Sequence, residues 1–371
     1  MTPWQGLALA AGIALLLGTT GSVFTTLVVP RASSARLLRA ISALYAKLSI
    51  PALRLRRGYE AKDKLLGLVG PLGIVTLFVS WLCLLVVGFG LVIWSIAGGL
   101  LSHALGVAGS SVFTLGVLSI HQGGPEAIEF VAAGVGLLVV ALEIAYLPAL
   151  YSAFSAREAD VTLLATRAGV PAWGPELLAR AQRFSLVDEL PELYRRWERW
   201  AAAVAESHTN YPTLMWLRSP QPWRSWLTAL TATLDAAALQ AALAPDSVPL
   251  DARLCLQVGS NCLRSLADAL HIAYDPDPLP TAPIRLAYEE YQEGIARLER
   301  AGFGFERSPE EAWVHFRGWR VNYESVVDAL TDVVVPPPAP WFLPRPWLGS
   351  AAYPFVRNRT PDDPEGSRSH S

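Results

Sequence analysis

Lysine and arginine are absent from residues 65–156, although nine of them lie in the preceding residues 31–64. Basic residues are retained on the cytoplasmic side of a membrane and are excluded from translocated loops. The contrast therefore predicts that residues 31–64 are cytoplasmic and that the loops between the later spans face outward. It argues against an ordinary soluble fold for the first half of the chain.

Cysteine is also scarce, with three in the whole chain. Cys83 lies in a hydrophobic stretch, while Cys255 and Cys262 are two turns apart on a predicted helix, or about 10 Å, which is too far for a disulfide. The sequence has no CxxC pair and no cysteine–histidine cluster with zinc spacing. This excludes a disulfide scaffold and favours reduced thiols in a cytosolic region, with no metal or cofactor.

Catalytic motifs are missing as well: the sequence contains no GxSxG, HExxH, P-loop or Rossmann glycine pattern. Asp268 and His271 could share a metal, but one such pair is more often solvated or satisfied by its neighbours. Residues 157–371 carry 21 basic and 27 acidic side chains, which argues against a nucleic-acid partner. We therefore expect that the protein is not an enzyme.

Long apolar segments are what the first half does contain. Residues 1–30 are uncharged, lack the basic region of a signal peptide, and are long enough to cross a ~30 Å hydrocarbon core. We interpret them as a retained first transmembrane helix with its N-terminus outside. Residues 31–64 are predicted to form a basic cytoplasmic helix in the membrane interface, as a topology anchor or a sensor of anionic lipid. Its lipid-facing basic residues are Arg36, Arg39, Lys47, Arg54, Arg56 and Arg57.

Residues 65–156 are predicted to form a membrane domain with a span at 69–96, a short apolar segment at 103–119 and a span at 131–154. The short segment could be a loop, a fourth span or a re-entrant helix. Irregular backbone enters a membrane only where protein or a water-filled cavity satisfies its polar groups. Ion filters use exposed backbone carbonyls as ligands, so a re-entrant segment would have a clear purpose.

Residues 111–116, Ser-Val-Phe-Thr-Leu-Gly, resemble the end of the pore helix and the first half of the filter in two-helix potassium channels. The order of outer helix, pore helix, filter and inner helix is also similar over residues 69–154. The resemblance implies a homotetramer that conducts monovalent cations, with filter residues Thr114, Leu115, Gly116, Val117 and Leu118. It also implies bends in the inner helix at Gly134, Gly136 and Pro148.

Two filter positions depart from the family's pattern. Val117 and Leu118 stand where an aromatic residue and a second glycine are expected, and Ser119 replaces the usual aspartate. The second glycine adopts backbone angles that cost a residue with a side chain roughly 1–2 kcal/mol. The sequence therefore predicts a shortened or relaxed filter in place of a full row of potassium sites.

Glu143 is a carboxylate inside the last span. A charge at that depth costs a few kcal/mol or more unless it faces protein or water. In a channel it could face the central cavity, where a ring of four would attract cations. The alternative is a packing residue that is protonated or hydrogen-bonded.

After Arg157 the pattern becomes that of soluble amphipathic helices interrupted by proline and glycine. Residues 157–334 are predicted to form a cytoplasmic domain of six or seven helices with almost no strand. Residues 335–371 are predicted to be a proline-rich strap and a disordered tail. Residues 207–239 show a weaker resemblance to uncharacterised bacterial proteins that have a pore-type membrane region.

The fold class predicted is mainly α, with three transmembrane helices, a re-entrant pore helix and an all-α soluble domain. The predicted function is passive permeation of cations, either potassium or cations without selectivity, through a tetrameric pore in a bacterial-type inner membrane, with a cytoplasmic regulatory domain. The partners are then the lipid bilayer and monovalent cations. The alternative is a non-conducting membrane scaffold or sensor that displays the helical domain.

Overall fold

A computed structural model describes residues 2–29, 58–120 and 123–342. These ranges form eleven α-helices and two short 3-10 helices, and they contain no β-strand. The mainly α fold expected from the sequence is therefore correct. Residues 59–64 of the predicted interfacial helix are helical and continuous with the predicted span at 69–96. Residues 31–57 of that interfacial helix, and most of the proline-rich strap and tail, lie outside the described residues. So do the predicted lipid-facing basic residues Arg36, Arg39, Lys47, Arg54, Arg56 and Arg57.

The chain divides into two compact units. Unit 1 consists of Met1–Ala156 together with Glu206–Arg218, and unit 2 consists of Arg157–Ala205 and everything from Ser219 onward. The division at Ala156 coincides with the predicted end of the membrane region. Residues 206–218, which the sequence pattern assigned to the soluble region, cluster with unit 1.

Four helices begin in unit 1: α1 (Pro3–Leu27), α2 (Tyr59–Ala97), α3 (Leu101–Val112) and α4 (Gly123–Ala168). The helices α1, α2 and α4 have 25, 39 and 46 residues, more than the ~20 that cross a bilayer core. By length and apolar composition all three are candidate membrane spans, so the chain is a candidate multi-pass membrane protein. Both α2 and α4 extend well beyond the apolar cores at 69–96 and 131–154.

Close backbone approach joins α1 to α2. A Cβ on Gly12 would lie 2.8 Å from the carbonyl oxygen of Gly88, so glycine is needed for the two helices to come this near. The indole Nε1 of Trp81, which is completely buried, donates to Ser22 Oγ at 3.1 Å. Packing and one buried hydrogen bond therefore fix α1 on α2.

Unit 2 contains seven further α-helices, which agrees with the predicted six or seven. They are α5 (Gly174–Arg183), α6 (Leu190–Asn210), α7 (Trp226–Leu243), α8 (Leu250–Leu270), α9 (Tyr288–Arg300), α10 (Pro309–Arg320) and α11 (Glu324–Val334). The end of α6, from Glu206, belongs to unit 1.

The helix α7 is a fourth candidate span by length and composition, beyond the three predicted from the sequence. All of its residues are buried, and it packs against α5, α8 and α10 of unit 2. A helix that is apolar all round is buried in a protein core or in a membrane. Here the neighbouring helices cover it, so burial in unit 2 accounts for its apolar surface.

A buried arginine organises this core. Arg320, with a side chain 1% exposed, bonds both carboxylate oxygens of Asp235 at 2.7 Å and Glu324 Oε1 at 2.7 Å. Burial alone would lower the pKa of Arg320, but the two carboxylates raise it above its ordinary value. Its Nη2 also donates to the carbonyl oxygen of Trp341, which attaches the start of the proline-rich segment to unit 2.

Candidate functional site

The helix α3 stands where the sequence predicts a pore helix. Its 12 residues span about 18 Å, which is too short to cross a ~30 Å hydrocarbon core, so it is not a fourth span. It ends at Val112, and residues 113–120 continue without helical structure until α4 begins at Gly123. The predicted segment 103–119 is thus a short helix followed by irregular backbone.

The side chain and backbone of Ser110, in the last turn of α3, hold this irregular segment. Ser110 Oγ accepts hydrogen bonds from the amides of Val117 at 2.9 Å and Leu118 at 3.1 Å. The carbonyl oxygen of Ser110 accepts from the amide of Leu115 at 2.7 Å. One serine therefore satisfies three backbone donors of the predicted filter.

Two residues of the segment have left-handed backbone conformations. Thr114 has φ 53° and Gly116 has φ 66°. The amide of Thr114 donates to the carbonyl oxygen of Ser111 at 2.9 Å, and its hydroxyl donates to the carbonyl oxygen of Phe113 at 2.8 Å. A left-handed threonine is uncommon, so local hydrogen bonds are holding the backbone in an unusual path.

These bonds determine where the carbonyl groups point. In a trans peptide unit the N–H and the preceding C=O point in opposite directions. The amides of Leu115, Val117 and Leu118 point at α3. The carbonyls of Thr114, Gly116 and Val117 therefore point away from it. The five predicted filter residues, Thr114 to Leu118, are all exposed in the single chain. Three of the carbonyls in the predicted filter thus point away from α3, and backbone carbonyls are the groups that bind cations in ion filters.

A cavity of about 310 Å³ adjoins the segment. Its lining includes the hydroxyl residues Ser111 and Ser119 and the carboxyl residues Glu126 and Glu129. Glu129 Oε1 accepts a hydrogen bond from the amide of Ile120 at 2.8 Å, so α4 holds the end of the segment as α3 holds its beginning.

Sequence reasoning missed Ser110, Glu126 and Glu129. A signal for the two glutamates was present, because residues 65–156 contain only three acidic side chains, and these are two of them. Of the three, only Glu143 was predicted to be a site residue. No sequence signal singled out Ser110 among the neighbouring serines, because its role depends on the chain folding back.

The predicted bend positions Gly134, Gly136 and Pro148 all lie within α4, which runs as one helix through them. A Cβ on Gly136 would lie 2.1 Å from the carbonyl oxygen of Val112, whereas a Cβ on Gly134 would meet no atom within 4 Å. Gly136 therefore lets α4 touch the end of α3. The bends themselves stay a prediction.

Glu143 is buried within unit 1, with 7% of its surface exposed. It lies on the same face of α4 as the buried residues Val139 and Tyr146, and its Oε1 has no hydrogen-bond partner among the described residues. A buried carboxylate oxygen without a partner is uncommon, and the alternative role in packing stays a prediction. A cavity-facing role in an assembled pore stays a prediction.

The other candidate groups lie in unit 2. Cys255 and Cys262 are free and buried, and burial raises the pKa of both thiols, to about 12 for Cys262. Asp268 Oδ2 accepts a hydrogen bond from Tyr274 Oη at 3.3 Å. Across the described ranges, no three or more His, Cys, Asp or Glu side chains are grouped to hold a metal ion.

Comparisons with protein-family models, with curated proteins and with solved structures found no match to this chain. The resemblances to potassium channels and to uncharacterised bacterial proteins therefore stay predictions from the sequence.

Proposed function

We propose that this chain is one subunit of a membrane pore for cations, a homotetramer with residues 114–118 of each copy around its axis. The observation that carries the proposal is the set of hydrogen bonds to Ser110, which turns the amides of the segment toward α3 and its carbonyls away. A cation entering a narrow pore must exchange water for other oxygen ligands, and backbone carbonyls supply them.

The exposed apolar side chains support assembly. Leu115 and Val117 are 65% and 76% exposed in the single chain, beside the carbonyls that would line the axis. Neighbouring copies would cover these side chains. Glu126 and Glu129 would place negative charge near the segment and attract cations.

The ion selected is expected to be monovalent, with weak discrimination. The family's second filter glycine is replaced by Leu118, so a full row of potassium sites is not expected. Passive flow through a shortened row fits the residues present. The orientation follows from charge: residues 31–64 and unit 2 would be cytoplasmic in a cell inner membrane, and the loops around α3 would face outward.

The second candidate is a non-conducting scaffold that displays unit 2. Val117 and Leu118 favour it, because both depart from the residues of a conducting potassium filter. A scaffold could have any number of copies, whereas one filter segment per chain requires four. Oligomeric state therefore separates the two candidates.

The test is cation flux into liposomes that contain the purified full chain, comparing wild type with Gly116→Trp and Gly99→Trp. Both glycines have positive φ, 66° and 76°, and in both cases an added Cβ would meet no atom within 4 Å. The two variants therefore share the same strain and bulk, but only Gly116 lies in the filter segment.

We expect flux in wild type and Gly99→Trp and none in Gly116→Trp, with a tetramer in native mass measurements of all three. Equal flux in the two variants would show that the cations do not pass residues 114–118. A folded wild-type protein of another oligomeric state that passes no cations would support the scaffold.

A further inference from the structure

At residues 206–218 the chain passes from unit 2 into unit 1 and then back into unit 2. The chain on either side, up to Ala205 and from Ser219, belongs to unit 2, whereas residues 206–218 cluster with unit 1. This segment comprises the last turn of α6 and the 3-10 helix Pro212–Trp216. We call it the latch.

The latch holds α2 through a largely buried ion pair. Arg218 Nε donates to Asp63 Oδ1 at 2.6 Å, and both side chains are 11% exposed. The guanidinium also donates to the hydroxyl of Tyr59. Next to it, a Cβ on Gly70 would lie 2.8 Å from Leu217 Cδ2, so the latch lies directly against the backbone of α2.

The same segment holds α4. The hydroxyl groups of Tyr146 and Thr213 form a buried hydrogen bond of 3.0 Å. The ring of Tyr146 meets that of Tyr211 edge to face, with centroids 5.3 Å apart. Leu214 is fully buried in a cluster that contains Leu150 of α4.

The latch therefore joins α2 to α4, the two long helices that flank α3 and the filter segment in the chain. A buried ion pair is costly to break, because each partner would be left as an uncompensated charge. Each end of the latch continues into unit 2, so a force that moved unit 2 would act along the chain on Thr213 and Arg218. Coupling between distant sites requires an element with two arrangements whose equilibrium both sites shift.

We propose that the latch regulates the pore: when docked it keeps α4 against α2 and holds cation flux low, and when unit 2 withdraws it α4 is free to move and the flux rises. This inference rests on the proposed function, because it assigns regulation to the same pore.

The experiment uses the full chain with Arg218→Gln and, separately, Tyr146→Phe. The first removes the ion pair to Asp63, and the second removes one hydroxyl while keeping the ring that contacts Tyr211. The matched control is Arg196→Gln, which breaks an ion pair of unit 2 with Asp160 whose arginine is 53% exposed. Tyr146→Phe keeps the proposal testable if Arg218→Gln fails to fold.

Two quantities are measured. Amide hydrogen exchange is followed at the start of α2 and in α4 around Tyr146, and cation flux is followed in liposomes. We expect exchange in both helices to rise about ten-fold or more in Arg218→Gln and about three- to ten-fold in Tyr146→Phe. We expect flux to rise by similar factors. The control variant Arg196→Gln should change neither the amide exchange nor the cation flux.

An increase in exchange confined to residues 206–218 would overturn the latch, because α2 and α4 would not depend on it. Unchanged flux in variants of a conducting protein would overturn its regulatory role. If wild type and Arg218→Gln both pass no cations, the proposed pore and its regulation fail together. The amide exchange in α4 then shows only whether the latch holds α2 and α4 together.

Discussion

Replacing Gly136 by alanine should separate α4 from α3. The added Cβ would lie 2.1 Å from the carbonyl oxygen of Val112 and 2.8 Å from its carbonyl carbon. Both are backbone atoms, so no side chain can rotate out of the way. Contact at ordinary distances requires the two helices to move apart by about 1 Å.

Two opposing effects set the size of the change. Overpacking of this kind typically costs about 1–3 kcal/mol. Alanine in place of glycine in a helix interior returns about 1 kcal/mol. The net destabilisation expected for Gly136→Ala is therefore at most about 2 kcal/mol. Gly134→Ala provides the matched control, because it has the same helix gain and no atom within 4 Å. It should be stabilising by about 0.5–1 kcal/mol.

The assay is thermal unfolding of the full chain in mild detergent, followed by circular dichroism, with amide exchange of residues 113–120 to locate the change. Gly136→Ala should unfold at a lower temperature than wild type and exchange faster in that segment, whereas Gly134→Ala should unfold at a slightly higher temperature. If the two variants unfold at the same temperature, α3 and α4 do not touch at Gly136 and the description of the site is wrong.

Three further predictions concern single side chains. Ser110→Ala removes the hydroxyl that accepts from two backbone amides, at a cost of about 1–3 kcal/mol. It should speed amide hydrogen exchange in residues 115–120. The control Ser111→Ala keeps the backbone carbonyl that accepts from Thr114 and should leave that exchange unchanged. Burial raises the pKa of Glu176, but hydrogen bonds from two arginines lower it below its ordinary 4.5. Its stabilisation is therefore present above about pH 4.5 and lost as the pH falls through the lower folded value. Glu176→Gln should lower the unfolding temperature at pH 7, and this difference should shrink in acid. Arg320→Met leaves two buried carboxylates unpaired and should cost about 3–5 kcal/mol in thermal unfolding, against less than 1 kcal/mol for the exposed Arg196→Gln.

The sequence predicted where the apolar spans lie better than it predicted where the helices begin and end. Hydrophobicity marks the stretch that would cross lipid, so the span at 69–96 was recognised. The first turns of α2, from Tyr59, were not assigned to it because they carry charges. Residues 206–218 could not be assigned to unit 1, because their amphipathic pattern does not specify which helices they will contact.

The backbone path of residues 113–120 was predictable only in part. Gly116 stands out in a sequence because a left-handed conformation suits glycine. Thr114 gives no such signal, and its positive φ depends on hydrogen bonds to the end of α3. The contact between Ile120 and Glu129 depends on how the chain turns before α4, which no local pattern encodes.

The helix α4 is long compared with the thickness of a bilayer core. Its 46 residues make a rod of about 69 Å, more than twice the thickness of a bilayer core. If the rod stays straight, a tilt of only about 5° at one end displaces the other by about 6 Å, more than the width of a dehydrated monovalent cation. In the proposed pore, modest repacking at one end of α4 would be enough to change which ions fit at the other.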